Sequence, residues 1–496
     1  MNLADKLIEK NTEVKDKTCF VAHGKNVSYH DFYKMVSCFK DYLLSKDIKK
    51  GDKVLILVPM SLELYVSLFS IWSIGAVPCF MDAGFIKNGM KKNDFDDIKA
   101  VIGITKYILY SNINSHLRKL KLKINVNVMY SLKYTHELTN EALEDEFPGI
   151  LTYTSGTTGK PKVAQRNHEF LNIQANILFD NLMYEENDIE LSTMPIFTLS
   201  NINAGITTVI AKGNFSNLGK TNPKDIIKQI MNNNINRIMA APGLLGIVSR
   251  YANENGIVLN NVTKIMTGGG AIFLDLINNI KKAFPNAMIL TAYGSTEAEP
   301  ISKLDMTNLD EYYINKIKEG FGIPAGRIIG VEDCKTIITD KEELGELSRE
   351  EFERLITNNV GEIVVTGKNV LKGYVGGIGD AKNKFSVDGI KYHRTGDMGI
   401  FDERGELWLR GRKKEPFFNI EASLHAQFDI DKTAVFENEG KIILVLEKGL
   451  NIDENGIKDK IKFATIDDIK FVEKIPLDKR HSSKVDYNEL RKILYK

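Results

Sequence analysis

The stretch Ile150 to Val163, ILTYTSGTTGKPKV, combines the residue types that grip an anion. Its apolar, β-branched start reads as a buried strand ending near Thr154. Ser155, Gly156, Thr157, Thr158, Gly159 and Lys160 follow. Small residues let backbone N–H groups converge, and glycines permit the positive φ of an anion-holding concavity. Three hydroxyls and the Lys160 ammonium add side-chain donors, and Pro161 keeps the loop from running on as a helix. This is not a Walker loop, which needs glycine five residues before Gly159 and Ser or Thr after the lysine. Here those places hold Thr154 and Pro161.

A second constellation lies at Tyr293, Gly294, Ser295, Thr296 and Glu297, after an apolar run. Tyrosine offers a flat face for a base, and threonine a hydroxyl for phosphate. Glutamate offers a hard oxygen suited to Mg²⁺ shared with phosphates. Gly268, Gly269 and Gly270 end another apolar run. Ligands in open α/β sheets sit past the carboxyl ends of strands. Three such ends therefore mark one site: Thr154 onward, Gly268 to Gly270, and Tyr293 to Glu297.

The elements that must hold these residues alternate along the chain. Phe32 to Leu44 reads as a helix with His30 or Asp31 near its cap, Val54 to Val58 as a strand, and Ser61 to Ile74 as a buried helix. Ala76 to Met81 reads as a strand. Leu64 to Met81 carries no charge, but Gly75, Pro78 and serines at 67, 70 and 73 argue against a membrane span. Helices over His168–Leu182, Asp225–Ile235, Leu244–Asn253 and Phe273–Phe284 alternate with strands at Leu191–Met194, Arg237–Ala241, Lys264–Thr267 and Ala287–Ala292. That is the grammar of a mostly parallel sheet covered on both faces. Residues 303–360 are charge-rich and read as a solvated covering layer, helical at Glu311–Glu319 and Glu342–Leu355. Gly361–Gly367 is a strand and Phe401–Trp408 a hairpin. Arg410 to Pro416 is a charged joint with no apolar period. Beyond it come a hairpin, Thr433–Phe436 with Ile442–Glu447, and a last helix, Tyr487–Leu494, started by Asp486.

With 496 residues, more than one core is expected. A formal net charge of +1 points to neither nucleic acid nor an anionic membrane as partner. Cys19, Cys38, Cys79 and Cys334 are too widely spaced for a metal or redox pair, which fits a reducing cytosol. The charged start of the chain lacks the apolar core of a signal peptide.

Taken together, these strings resemble the motifs of the adenylate-forming (AMP-binding) superfamily, in order, along nearly the whole chain. That superfamily includes acyl-CoA synthetases, peptide-synthetase adenylation domains and luciferases. The resemblance implies an α/β fold: a large domain, residues 1–411, of parallel-rich sheets with covering helices and a β-barrel-like region. A small, mobile α+β domain, residues 412–496, follows at a hinge. It implies an ATP- and Mg²⁺-dependent ligase that turns a carboxylic acid into an acyl-adenylate, expels pyrophosphate, and passes the acyl group to coenzyme A or a carrier protein's phosphopantetheine thiol. A cytoplasmic enzyme of fatty-acid type is expected.

Carried over by position, Thr154 to Lys160 form the phosphate loop. Gly268, Gly269, Gly270 and Ala271 form the adenine-side turn, with Gly268 also next to the acyl group. Tyr293 stacks on adenine within the Tyr293–Gly294–Ser295 stretch, Thr296 contacts the α-phosphate, and Glu297 coordinates Mg²⁺. In Tyr392–His393–Arg394–Thr395–Gly396–Asp397, Asp397 accepts from the ribose hydroxyls, joined by Arg412. Lys414 is the hinge residue. Lys484 bridges the incoming carboxylate and the α-phosphate, although any of the 66 Lys and Arg is by default a surface cation. His168 and Thr198 fall at substrate-side positions.

Three departures stand out. Val163 replaces a glycine. Pro195 to Asn201 carries no acid, which argues against an α-amino acid because a buried unpaired ammonium is costly; Thr198 also replaces a bulkier residue. Only eight residues separate Arg412 from Glu421, where the family carries a longer loop with a glycine that admits pantetheine. This shortening bears on the thiolation half, not the adenylation half. The Arg480–Lys484 string and the Pro195–Phe197 region are similar to a subgroup that includes fatty-acid-activating ligases and olefin-pathway β-lactone synthetases. Two alternatives therefore stay open: a non-thiol second step, such as β-lactone formation from a 3-hydroxy acid, and a non-catalytic nucleotide-binding homologue.

Overall fold

The computed structural model describes residues 2–81, 97–115, 117–154, 162–214, 217–428, 430, 432–448, 454–477 and 485–495. The chain divides into two compact units, Met1–Ile210 with Lys368–Lys384, and Ala211–Gly367 with Phe385–Lys496.

In the first unit a six-stranded sheet runs in the order Leu122–Asn125, Ile98–Gly103, Lys53–Leu57, Val77–Met81, Pro148–Thr154, Lys162–Asn167. All pairs are parallel except the last, which is antiparallel. The Leu62–Ile74 helix joins two of these strands. Ser61 caps its start by accepting from the Leu64 N–H, and Gly75 closes it in the left-handed region at φ 73°. Every residue of this helix is buried. At about 1.5 Å per residue it spans roughly 20 Å, short of a bilayer core. Its serines are accounted for locally, since Ser67, Ser70 and Ser73 donate to the Glu63, Val36 and Phe69 carbonyls. Among the described residues no helix is long and apolar enough to cross a membrane.

The Tyr29–Ser45 helix starts earlier than its apolar period implies. Its cap is Ser28, not His30 or Asp31, because Ser28 and Asp31 close a reciprocal capping box. A further set of strands, Ile189–Ser192, Thr207–Ile210, Thr18–Ala22 and Lys25–Ser28, completes this unit's sheets.

In the second unit Arg237–Met239, Lys264–Gly268 and Met288–Ser295 run parallel. The sheet then turns antiparallel through Ala298–Asp305, Ile323–Ile328, Leu407–Arg412, Ile390–Phe401, Gly361–Thr366 and Asp333–Ile337. Residues 303–360 are thus not only a covering layer. Ile323–Ile328 and Asp333–Ile337 are sheet strands, and the expected helix over 342–355 shortens to Arg349–Glu353. The charges that masked these strands lie mostly in the Glu311–Lys318 helix and in residues 340–354. The Arg410–Pro416 joint also contracts, because Leu407–Arg412 is a strand and the Phe418–Gln427 helix follows within a few residues. That helix, the strands Thr433–Asn438, Lys441–Glu447 and Asp468–Val472, and the Tyr487–Leu494 helix enclose their own apolar clusters, centred on Leu424 with Leu444 and on Phe436 with Leu490.

Candidate functional site

The second unit brings together most of the residues that sequence assigns to the nucleotide. Strand Lys264–Gly268 delivers Gly268, and strand Met288–Ser295 delivers Tyr293 beside it. A β-carbon on Gly268 would lie 2.4 Å from the Ala292 carbonyl oxygen, so only glycine lets the two strands approach this closely. Tyr293, Gly294 and Ser295 continue the strand, and Thr296 with Glu297 form the turn into the antiparallel strand Ala298–Asp305. The expected strand end is therefore a hairpin, and Gly294 is held by the return strand, since a β-carbon there would meet the Ala298 oxygen at 2.8 Å.

Asp397 is the hub. The Tyr293 hydroxyl donates to its Oδ2 at 2.8 Å, and Arg412 Nε lies 3.1 Å from its Oδ1. Its own N–H donates to Thr395 Oγ1, and Arg412 Nη1 donates to the Thr395 carbonyl at 3.1 Å. Strands Ile390–Phe401 and Leu407–Arg412 pair with Asp397 opposite Arg412, which fixes the ion pair in register. Behind it, Arg394 is buried against Glu362, which Lys413 also reaches at 3.3 Å. Burial and the Asp397 carboxylate hold the Tyr293 phenol well above its ordinary pKa, so it remains a donor.

Tyr293, Gly294, Asp397 and Arg412 line one cavity of about 1050 Å³, with Gly269, Gly270 and Ala271 in its wall. That exceeds the usual 300–1,000 Å³ of a small-ligand site and leaves room beside a nucleotide. Ser295 Oγ is buried and finds no hydrogen-bond partner among the described residues. Glu297 is half-buried at the hairpin turn. Among the described residues no three His, Cys, Asp or Glu side chains cluster into a cage for an ion.

His168 and Thr198 belong to the first unit. His168 opens the His168–Asn181 helix, is fully buried, and accepts the Leu3 N–H at Nδ1 over 3.1 Å. Its Nε2 has no partner among the described residues, and burial lowers its pKa to about 4. Thr198 is buried in the Pro195–Ala204 helix and donates to Ser192 Oγ at 3.1 Å. Lys414 is exposed in the tight Arg412–Glu415 turn. Ser155, Gly156, Thr157, Thr158, Lys160 and Lys484, with the Thr154 side chain, lie outside the described residues.

Sequence reading missed several groups. Glu190 is buried and accepts from Asn201 Nδ2 at 2.7 Å, so an acid does stand behind the Pro195–Ala204 helix, engaged with that amide. Glu421, which served only to measure a spacing, is buried in the cavity wall. Burial raises its pKa to about 8, with the Glu415 charge adding to the shift. No sequence signal marks it beyond an acid in an otherwise apolar helix turn.

The description "AMP-binding enzyme" matches residues 8–375. The chain belongs to the AMP-binding enzyme family, the adenylate-forming ligases and synthetases. An olefin β-lactone synthetase of Stenotrophomonas maltophilia is 25% identical over 74% of this chain and 69% of its own length. The 4-coumarate–CoA ligase CCL1 of Humulus lupulus is 26% identical over 98% and 92%. Among solved structures, ATP-bound MatB from Rhodopseudomonas palustris superposes with a TM-score of 0.77 at 19% identity, covering 100% of this chain and 99% of that one. The O-succinylbenzoate CoA synthetase MenE of Bacillus subtilis, in complex with ATP and magnesium, gives 0.73 at 18%, covering 98% and 99%. These structures share the α/β fold expected from sequence.

Proposed function

We propose that this enzyme activates an aliphatic, fatty-type carboxylic acid with ATP and transfers the acyl group to a thiol, of coenzyme A or of an acyl carrier protein. The observation that carries this reading is the Asp397 hub, with one carboxylate held by Tyr293 and Arg412 in the wall of a cavity that also contains Gly269 to Ala271. A carboxylate so oriented retains lone pairs for ribose hydroxyls. Ser295 and Thr296 supply hydroxyl donors toward the α-phosphate, and Glu297 would hold Mg²⁺ together with the phosphates. Mg²⁺ neutralises charge on the departing pyrophosphate. Lys484, carried by residues 412–496 acting as the small mobile domain, steadies the substrate carboxylate as it meets the α-phosphorus. The absence of any acid within Pro195–Asn201 supports an acid with no ammonium group. We place this chemistry in the cytoplasm.

A specific observation favours a second reading. Five residues separate the strand ending at Arg412 from the helix starting at Phe418. This brevity, and the olefin β-lactone synthetase among the relatives, supports a non-thiol second step on a 3-hydroxy acid.

Exchange of labelled pyrophosphate into ATP tests the first step across fatty, 3-hydroxy, aromatic and amino acids. Exchange is expected with an acid lacking an amino group. Asp397→Asn should reduce it on the order of 10²-fold, because the amide loses the charge that pairs with Arg412 and puts a donor in place of one of the two acceptor oxygens. Exchange that depends only on amino acids, or survives unchanged in Asp397→Asn, would reverse these assignments.

A further inference from the structure

The wall of the same cavity also carries an acid, an imidazole and a hydroxyl side by side. Asp275, His425 and Thr433 all line it. His425 Nδ1 lies 3.0 Å from Asp275 Oδ1, and His425 Nε2 lies 3.2 Å from Thr433 Oγ1. The Asp275 contact is close but off the hydrogen-bond direction, so neither atom completes a bond in this arrangement. The imidazole is buried, and its ring stacks on Phe273 at 4.4 Å and 6°. Stacking explains the ring's orientation. It does not explain a carboxylate beside one nitrogen and a hydroxyl on the other, the arrangement in which an acid orients a base and the base faces a proton donor.

The three residues come from three elements. Asp275 is in the first turn of the Leu274–Ala283 helix, His425 is in the Phe418–Gln427 helix, and Thr433 opens the Thr433–Asn438 strand. Glu421, one turn before His425, also lines the cavity, and its raised pKa leaves it largely neutral at pH 7, so the Asp275 carboxylate is the charge that meets the imidazole. Sequence analysis singled out none of these groups, and the first step as described does not use them.

We infer that Asp275, His425 and Thr433 form a proton relay for the second step, with His425 taking through the Thr433 hydroxyl the proton that the acyl acceptor sheds. The inference rests on the adenylation reading above. The acceptor's sulfur or oxygen attacks the acyl carbon, a new carbon–sulfur or carbon–oxygen bond forms, and the carbon–oxygen bond to phosphate breaks. AMP leaves with that electron pair. The acceptor's proton passes to Thr433 as the Thr433 proton passes to His425 Nε2, and the Asp275 carboxylate steadies the imidazolium. For a hydroxyl acceptor, far less acidic than a thiol, such a base matters most.

The two half-reactions separate the outcomes. Full-length wild type, His425→Ala, Thr433→Val and Asp275→Asn are assayed for acid-dependent pyrophosphate exchange. They are then assayed for AMP release, with coenzyme A in one arm and with a 3-hydroxy acid alone in the other. His425→Ala is expected to keep exchange near the wild-type rate while AMP release in the productive arm falls about 10²-fold, with recovery on added imidazole. Thr433→Val and Asp275→Asn should lower AMP release less. Retained exchange also certifies that a variant is folded. AMP release unchanged in His425→Ala, or exchange and release falling together in all three variants, overturns the relay and leaves adenylation standing. A wild type that exchanges with no acid refutes adenylation itself.

Discussion

Each unit of this protein buries a titratable side chain at a position that chemistry would prize, and the two are built in opposite ways. His168 in the first unit is enclosed by the Trp72 and Phe147 rings and holds the Leu3 N–H. Glu421 in the second unit stands in the wall of the large cavity, close to the charge of Glu415. Burial drives both toward their neutral forms, His168 down to about 4 and Glu421 up to about 8. Perturbation alone does not separate packing from function; position on a cavity wall does.

Opposite pH responses follow. The raised pKa of Glu421 means that between about 4.5 and 8 the native state binds more protons than the unfolded chain, so this group's contribution is full at low pH and is lost as pH rises. Glu421→Gln should remove a stability difference on the order of 3 kcal/mol between pH 5 and pH 8, read from denaturation midpoints at both values. If variant and wild type respond to pH in parallel, Glu421 is ionised and the contrast collapses.

For His168 the sign reverses. Its lowered pKa makes the unfolded chain the better proton binder between about 6.5 and 4, so stability falls as pH falls through that window. His168→Leu should destabilise the protein by about 2 kcal/mol at neutral pH, because the buried Leu3 N–H loses its acceptor, and should flatten the acid limb. A destabilisation that appears only with substrate bound would give His168 a ligand-facing role instead. The smallest effect is expected for Glu415→Gln. Removing its charge should lower the Glu421 pKa slightly, and loss of its 3.3 Å pair with Arg491 should shift stability by less than about 1 kcal/mol. An NMR titration of the Glu421 carboxyl resolves the first, and an unmoved midpoint would leave burial as the sole cause.

What the sequence disclosed divides along the same physical line. An uncharged run broken by Gly75 was enough for the fully buried Leu62–Ile74 helix, and local periodicity was enough for the alternation of strands and helices, because an apolar face must repeat with its element. Resemblance to the family's motifs singled out Asp397 and Arg412, which the structure pairs. The bond from Tyr293 to Asp397 crosses 104 positions, and no local pattern encodes it. The Pro195–Ala204 helix went unassigned although proline at its start and Gly205 at its end, in the left-handed region, were available signals. The strands within 303–360 were hidden because each is short and flanked by charges that suggest a solvated helix. Asp275, His425 and Thr433 lie far apart in sequence, and an acid, a histidine and a threonine at such distances have no spacing to recognise.

The Asp397 hub has a consequence for how a ligand is met. Its carboxylate is already aimed by two donors before any nucleotide arrives, and those donors are themselves anchored on paired strands. With Asp397 as the proposed ribose acceptor, the ordering entropy of that contact is incurred when the chain folds, not when a sugar docks. On that proposal a sugar meets a template that needs no rearrangement, and selectivity between ribose and its deoxy analogues is set before the ligand arrives.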